Sequence, residues 1–237
     1  MWEQQMIDVR RFASLGAARF DWLDARHHFS FGQYHDPARM GWGKIRVWND
    51  DTILPGAGFA PHAHSDMEII TYVRKGAISH RDSLGNTGRT AAGDVQVMSA
   101  GAGIRHSEYN LEAGETQIFQ IWIEPATRGG PPAWAAAQFP QDDRAGQLVT
   151  LASNDTTGAG GLTIRQDARV LGANLRAGQR VRHALGAGRH AYLVLAEGAA
   201  LVNGVAVSAR DGAALKDAPE IDIIAQTRTE LVLVDAP

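Results

Sequence analysis

The chain has 237 residues, 44% of them hydrophobic, and a formal charge of −3 with no block of like charge. That length suits one large domain or two smaller ones on the usual scale of about 150 residues per domain, and the charge argues against a nucleic-acid or anionic-membrane surface. Cysteine is absent, which removes disulfides, thiolate nucleophiles and cysteine-ligated zinc together and leaves any metal to nitrogen and oxygen ligands.

The first segment, "MWEQQMIDVRRFASLG", carries charges throughout. It has no apolar leader-like run, and no later run approaches the roughly 18 apolar residues of a membrane span. A soluble, cytoplasmic protein is expected. Strand-like runs then come short and often: "KIRVWNDD", "MEIITYVRKG", "AISHRDSLGN", "RTAAGDVQVMSAG" and "TQIFQIWIEP". Such runs, broken by Gly, Asn and Asp every 8–12 residues or so, predict an all-β sandwich or barrel. "RKG" and "SLGN" read as hairpin turns, where Gly or Asn takes a positive φ cheaply.

From Glu124 the texture changes. "EPATRGGPPAWAAAQFPQDDRAGQ" is rich in Pro and Gly, with an Ala-rich stretch compatible with one short helical turn. It reads as the connection between two halves, residues 1–135 and 136–237. Beyond it the β pattern resumes in "LTIRQDARVLGANL", "HAYLVLAEGAALVNGVAV" and "EIDIIAQTRTELVLVDA", with "VNG" as a hairpin signal. The halves echo each other. Laying Gly76 over Gly198 puts Ala184 and Gly186 opposite His62 and His64, so a second copy would lack those imidazoles.

Two segments carry chemistry. In "FAPHAHSDMEIITYVRKG", His62, His64 and Glu68 fall at even spacing, which regular strand pairing would place on one face. In "GDVQVMSAGAGIRHSEYN", about 42 residues on, His106 and Glu108 repeat the i, i+2 pattern. A His-X-His pair alone is weak evidence, since two half-exposed histidines at a strand start would read the same way. Two such pairs on glycine-bounded strands offer His62, His64, His106 and Glu108 as metal ligands. Three imidazoles and a carboxylate suit Fe(II), Mn(II), Ni(II) or Zn(II), with positions left open on a six-coordinate ion.

These segments resemble the two cupin motifs. Gly56, His62, His64, Glu68 and Gly76 follow the first, with seven residues in the last gap where six are usual; Gly93, His106 and Asn110 follow the second, with Ser99 at the usual proline and two extra residues before the histidine. Those departures, with "HRDSLGN" between the motifs and "FSFGQYHDPARMGWGKIRVWNDD" upstream, are similar to the pirin branch. The resemblance spans roughly residues 18–124 and extends through the degenerate C-terminal half. It implies a bicupin of two tandem β-barrel (double-stranded β-helix) domains, a metal-binding one over 1–135 and one without ligands over 136–237. It also implies Glu108, rather than Glu68, as fourth ligand, with Glu68 accepting from an imidazole N–H behind the metal.

Pirin-like proteins with this ligand set are similar to quercetin 2,3-dioxygenases, which open the central ring of a flavonol with O2 and release carbon monoxide. The resemblance therefore implies a small aromatic substrate, O2, Fe(II) before Mn, Ni or Zn, and Glu108 as general base, in a monomer that contacts neither nucleic acid nor membrane. The alternatives are a metal-binding regulatory module, since pirin is associated with transcription-factor complexes, and a dioxygenase for another enolisable substrate. Among the other histidines, His27 and His28 read as partly exposed structural residues and His35 as part of a turn fixed by Pro37. His80 reads as a solvated strand end, and His183 and His190 as unconnected with metal. Trp22, Trp42, Trp48, Trp122 and Trp134 are candidates for the walls of a flat pocket, though core is the usual place for such residues.

Overall fold

The central strands of the large sheets bury both faces, and that decides the architecture. In Glu68–Lys75, residues Glu68, Ile70 and Tyr72 alternate with Ile69, Thr71 and Val73, and all six are buried. Successive side chains point to opposite sides of a sheet, so each side must meet its own partner. The computed structural model describes residues 6–139, 144–155 and 160–237 and answers this with two barrels set back to back.

The first barrel has a seven-stranded sheet in the order Ala133–Ala137, Val95–Ser99, Glu68–Lys75, Thr116–Ile123, Ile45–Ile53, Leu23–His27 and Gly16–Phe20. Opposite it lie Gly58–His64, Ile104–Tyr109, Ala77–Asp82 and Thr87–Ala91. The second barrel repeats the plan, a sheet of seven strands including His190–Glu197 and Thr229–Ala236 facing a sheet of four that includes Arg180–Ala184. The expected all-β bicupin is what the chain forms. None of its described helices is long and apolar enough to cross a membrane.

Two segments run against the sequence reading. Ala133–Ala137 is a strand paired with Val95–Ser99, not a helical turn. An open sheet edge with unpaired N–H and C=O groups outweighs the modest helix preference of alanine. The division at 135/136 therefore falls inside a strand of the first sheet. Met6–Arg10 pairs with Gly212–Lys216 at the edge of the second barrel's sheet, so the start of the chain straps onto the far domain.

The turns and the internal echo are as the sequence suggests. Gly76 and Gly85 hold φ of +72° and +88°, and Asn203–Gly204 hold +46° and +79°, the left-handed pair of a tight hairpin. Gly76 and Gly198 occupy matching sites: a Cβ would meet the Thr116 hydroxyl at 2.7 Å in one and the Thr229 hydroxyl at 2.7 Å in the other. Each threonine donates to the residue after its glycine, Thr116 to the Ala77 carbonyl at 2.8 Å and Thr229 to the Ala199 carbonyl at 3.0 Å.

The outer faces of the two large sheets share one apolar core. Trp48, Ile70, Tyr72, Val97, Phe119 and Ile121 pack with Val170, Tyr192, Val194, Val232 and Val234. Each such side chain contributes about 1.5–3 kcal/mol on burial. At its rim Asp50, with no exposure, pairs with Arg74 and also accepts from Arg210 of the second barrel at 2.6 and 3.1 Å. Arg74 is itself nearly enclosed and lies over Phe119. Removing only the anion leaves a guanidinium buried without its counter-charge. Asp50→Ala should therefore cost about 3–5 kcal/mol of folding free energy, read as a lowered urea midpoint with an unchanged m-value.

Candidate metal centre

The interior of the first barrel carries more polar groups than that of the second, which is filled mostly by leucine and isoleucine. Gly58–His64 and Ile104–Tyr109 pair antiparallel, with His106 opposite His62 and Ile104 opposite His64. Alternation along Ile104–Tyr109 buries Ile104, His106 and Glu108. The ring centroids stand 4.5 Å apart for His62 and His106, 5.0 Å for His64 and His106, and 4.7 Å for His62 and His64. One nitrogen from each falls within 4.8 Å of the others.

His62 Nδ1 donates to the Ala60 carbonyl at 2.8 Å, which leaves Nε2 as a free lone pair. His106 is buried, yet neither ring nitrogen has a hydrogen-bond partner among the described residues. Burial, with neighbouring His62 second, lowers the His64 pKa to about 4; burial, then His62, His64 and His80, lowers that of His106 to about 3. Burial thus favours the neutral form of His64 and His106, the form that donates to a cation. Orphaned buried nitrogens in a neutral, nitrogen-rich cluster fit a divalent transition ion well.

Glu108 sits one step behind the three rings. It groups with His106 and His80 rather than with the whole triad. Its Oε1 accepts from Gln96 Nε2 at 2.6 Å and Thr71 Oγ1 at 3.2 Å, and its Oε2 from Gln120 Nε2 at 2.8 Å. The donors come from a straight cross-strand row in the large sheet: His27 opposite Asn49, Asn49 opposite Gln120, Gln120 opposite Thr71, Thr71 opposite Gln96. The row is tied at both ends, His27 Nδ1 to Asn49 Oδ1 at 2.8 Å and Thr90 Oγ1 donating to Gln96 Oε1 at 3.0 Å. Burial nevertheless wins over these three hydrogen bonds and pushes Glu108 up to about 7.

Several sequence expectations need correction. Glu68 does not share a face with His62 and His64. The chain leaves the small sheet at Ser65–Met67, where Asp66 has φ +50°, and parity does not carry across such a break. Glu68 faces the second barrel instead, accepting from Ser99 Oγ at 2.6 Å and from the Arg165 backbone N–H at 3.1 Å. His27 and His28 are buried rather than partly exposed, and His28 Nδ1 meets the Tyr192 hydroxyl at 2.8 Å across the domain seam. His80 is buried too: it stacks on Trp134 at 4.7 Å, and its Nε2 lies 3.1 Å from Asp82 Oδ2. His35 is exposed beside the Pro37–Arg39 turn, and His183 pairs with Asp235 at 2.7 Å.

A cavity of about 740 Å³ opens beside the histidines. His62, His64 and Gln120 form part of its wall, and Trp22, Phe31, Phe59 and Trp122 supply aromatic surface. Trp48 lies in the shared core, and Trp42 donates to the Ala191 and Leu215 carbonyls of the second barrel. The sequence reading missed Thr71, Gln96, Gln120 and Asp51. The available signal was a polar residue at an inward position of an otherwise apolar strand, as in "EIITYV" and "TQIFQIWI".

The raised Glu108 carboxyl makes the metal-free protein pH-sensitive. Its folded pKa of about 7 stands above the ordinary 4.5, so the folded state holds this proton more tightly than the unfolded one. That stability is complete below about 4.5 and is lost as pH rises through 7. The difference in unfolding free energy between wild type and Glu108→Gln, without metal, should swing by on the order of 3 kcal/mol from pH 4 to pH 8, with wild type losing ground at the higher pH. Parallel denaturant titrations at the two pH values measure it.

The pirin family matches residues 8–123, and the quercetinase C-terminal cupin domain matches residues 150–236. A pirin-like protein of Caulobacter vibrioides is 61% identical over 98% of this chain and all of its own length. Quercetin 2,3-dioxygenase of Escherichia coli K12 is 40% identical over 98% of this chain and 99% of its own. The solved structure of the bacterial pirin YhhW in complex with nickel(II), from Escherichia coli, superposes with a TM-score of 0.92 at 39% identity, covering 98% of this chain and 99% of that one. With cupin barrels at both ends and relatives aligned along its whole length, the chain belongs to the pirin family.

Proposed function

We propose that this chain is a metal-dependent dioxygenase that cleaves flavonols such as quercetin. In this reading His62, His64 and His106 are metal ligands, and Glu108 is both fourth ligand and general base. The observation that carries it is the convergence of three imidazoles, two of them on the wall of an aromatic-lined cavity and the third buried beside them, with a buried carboxyl directly behind. The relatives named quercetin 2,3-dioxygenase supply the substrate class. Fe(II) is the favoured ion, and Mn(II), Ni(II) and Zn(II) suit the same donors. Bound there, a divalent ion would act as a Lewis acid on the adjoining hydroxyl and carbonyl of a flavonol.

The protein's own groups do the rest. Burial raises the Glu108 carboxyl to about 7 in the metal-free protein, and a carboxylate next to the ion is placed to take a phenolic proton. Gln96 and Gln120 each donate to one of its two oxygens, and Thr71 adds a longer third hydrogen bond, so the carboxyl is held in a fixed orientation. Trp22 and Phe59, edge to face at 5.3 Å, and Trp122, edge to face with His64 at 4.9 Å, suit the flanks of a flat substrate and keep water from the reacting edge.

The ligand assignment is tested by metal content. After chelation and reloading, wild type should hold close to one equivalent. His62→Ala, His64→Ala and His106→Ala should each lose most of it, while His183→Ala, already committed to Asp235, should keep it. Two tight equivalents in wild type would point to a further site.

The base is tested by Glu108→Gln, which keeps the shape but cannot take the proton. Turnover per bound metal should fall by about 10²–10⁴-fold, with metal affinity also reduced, as read by O2 uptake with quercetin beside metal analysis. Unchanged activity per metal would remove Glu108 as base. A fully loaded wild type with no O2 uptake would move the function to another enolisable substrate or to a regulatory role.

A further inference from the structure

The cavity beside the histidines has a second polar point. Asp51 lies on its wall, on Ile45–Ile53, two residues beyond Asn49 and thus about 7 Å along the strand from the row that holds Glu108. Its own row is apolar: Ala25 stands opposite on one side and Ile118 on the other. Leu23, Ile53, Val73 and Ile78 complete the surrounding cluster, and Trp22 and Phe59 pack against it.

Asp51 is only 2% exposed, and its Oδ1 has no hydrogen-bond partner among the described residues. Burial, then the negative Asp50 and Glu108 nearby, pushes its pKa well above the ordinary carboxylate value. A buried polar group left without a partner is rare in folded proteins and calls for a reason. The neighbouring inward polar side chains have theirs, since Asn49 meets His27 and Gln120 meets Glu108. Folding alone would be served better by a leucine, which would extend the apolar row.

We propose that Asp51 is the specificity residue of a separate subsite, where its carboxyl hydrogen-bonds a phenolic hydroxyl of a planar aromatic whose chelating oxygens lie at the histidines. The proposal rests on the flavonol reading above and deepens it. In its neutral form the acid offers one O–H donor and one carbonyl acceptor, which suits a neutral phenol. The aromatic surface of Trp22 and Phe59 next to it takes the ring that carries the hydroxyl. The ligand class is a flavonol-like compound with a ring hydroxyl remote from its hydroxyl–carbonyl pair.

The test is an anaerobic binding titration of metal-loaded protein with quercetin and with 3-hydroxyflavone, which keeps the chelating pair and lacks the other hydroxyls. Tryptophan quenching and the visible absorbance shift report binding without turnover. Wild type should prefer quercetin, and Asp51→Leu should shrink that preference by about five- to tenfold while raising the melting temperature. Asp51→Asn, which still donates and accepts, should retain most of the preference. If the leucine variant does not fold, Asp51→Ala makes the same comparison. A preference unchanged in the leucine or alanine variant, or an equal weakening of both compounds, overturns the assignment and leaves the flavonol reading standing. A wild type of verified metal content that binds neither compound overturns both.

Discussion

The back-to-back burial of the two large sheets is what the rest of the molecule depends on. Once Trp48, Ile70, Tyr72, Phe119 and Ile121 are committed to the seam with Tyr192, Val194 and Val232, the opposite face of every one of those strands must point into the first barrel. The seam supplies the stability there, so the interior face is released from having to do so. The second barrel shows the alternative. Its interior is filled by Leu171, Leu175, Leu193, Leu195, Leu215, Ile221, Ile223, Leu231 and Leu233, with the His183–Asp235 pair as a polar exception. Two copies of one architecture thus divide the work: one is filled mostly by aliphatic side chains, and the other carries a cavity and titratable groups that would destabilise a lone domain.

The polar row across the first barrel is the device that makes those groups tolerable. A buried carboxyl with no donors would be costly. Here the antiparallel register sets Gln120, Thr71 and Gln96 side by side on three adjacent strands, so three donors reach one carboxyl without any special loop. Because sheet strands supply them, the donors share the rigidity of the seam behind them, as precise chemistry requires. The three imidazoles come from the other sheet, on two strands held by direct pairing. The imidazole nitrogens and the hydrogen-bonded carboxyl are thereby held by opposite walls of one barrel, with His106 and Glu108 on a single strand linking the two.

Much of this was legible in the sequence. The strand pattern, the turns at Gly76, Gly85 and Asn203–Gly204, and the i, i+2 pair of His106 and Glu108 follow from period and turn chemistry alone. What was not legible depended on which sheet a strand joins. Residues 62, 64 and 68 share parity on paper, but a three-residue break sends Glu68 into the other sheet and onto its outer face. His80 read as a solvated strand end because nothing local announces that Trp134, from a segment 54 residues on, covers it. The Ala-rich segment was misread for the same kind of reason, since an unpaired sheet edge is invisible in composition.

The C-terminal barrel therefore has a physical part in the site even though its own interior is mostly aliphatic. Arg210 shares the Asp50 carboxylate with Arg74, and the Arg165 amide shares Glu68 with Ser99. Asp50 is the neighbour of both Asn49 and Asp51, and Glu68 begins the strand that carries Thr71. Contacts from the second domain thus fix the outward-facing residues whose sequence neighbours form the cavity wall and the cage of Glu108. In a strand the two faces cannot move independently. A shift at the seam would be transmitted, one residue along, to the groups that hold the carboxyl, so the packed barrel acts as the rigid backing against which the open one keeps its geometry.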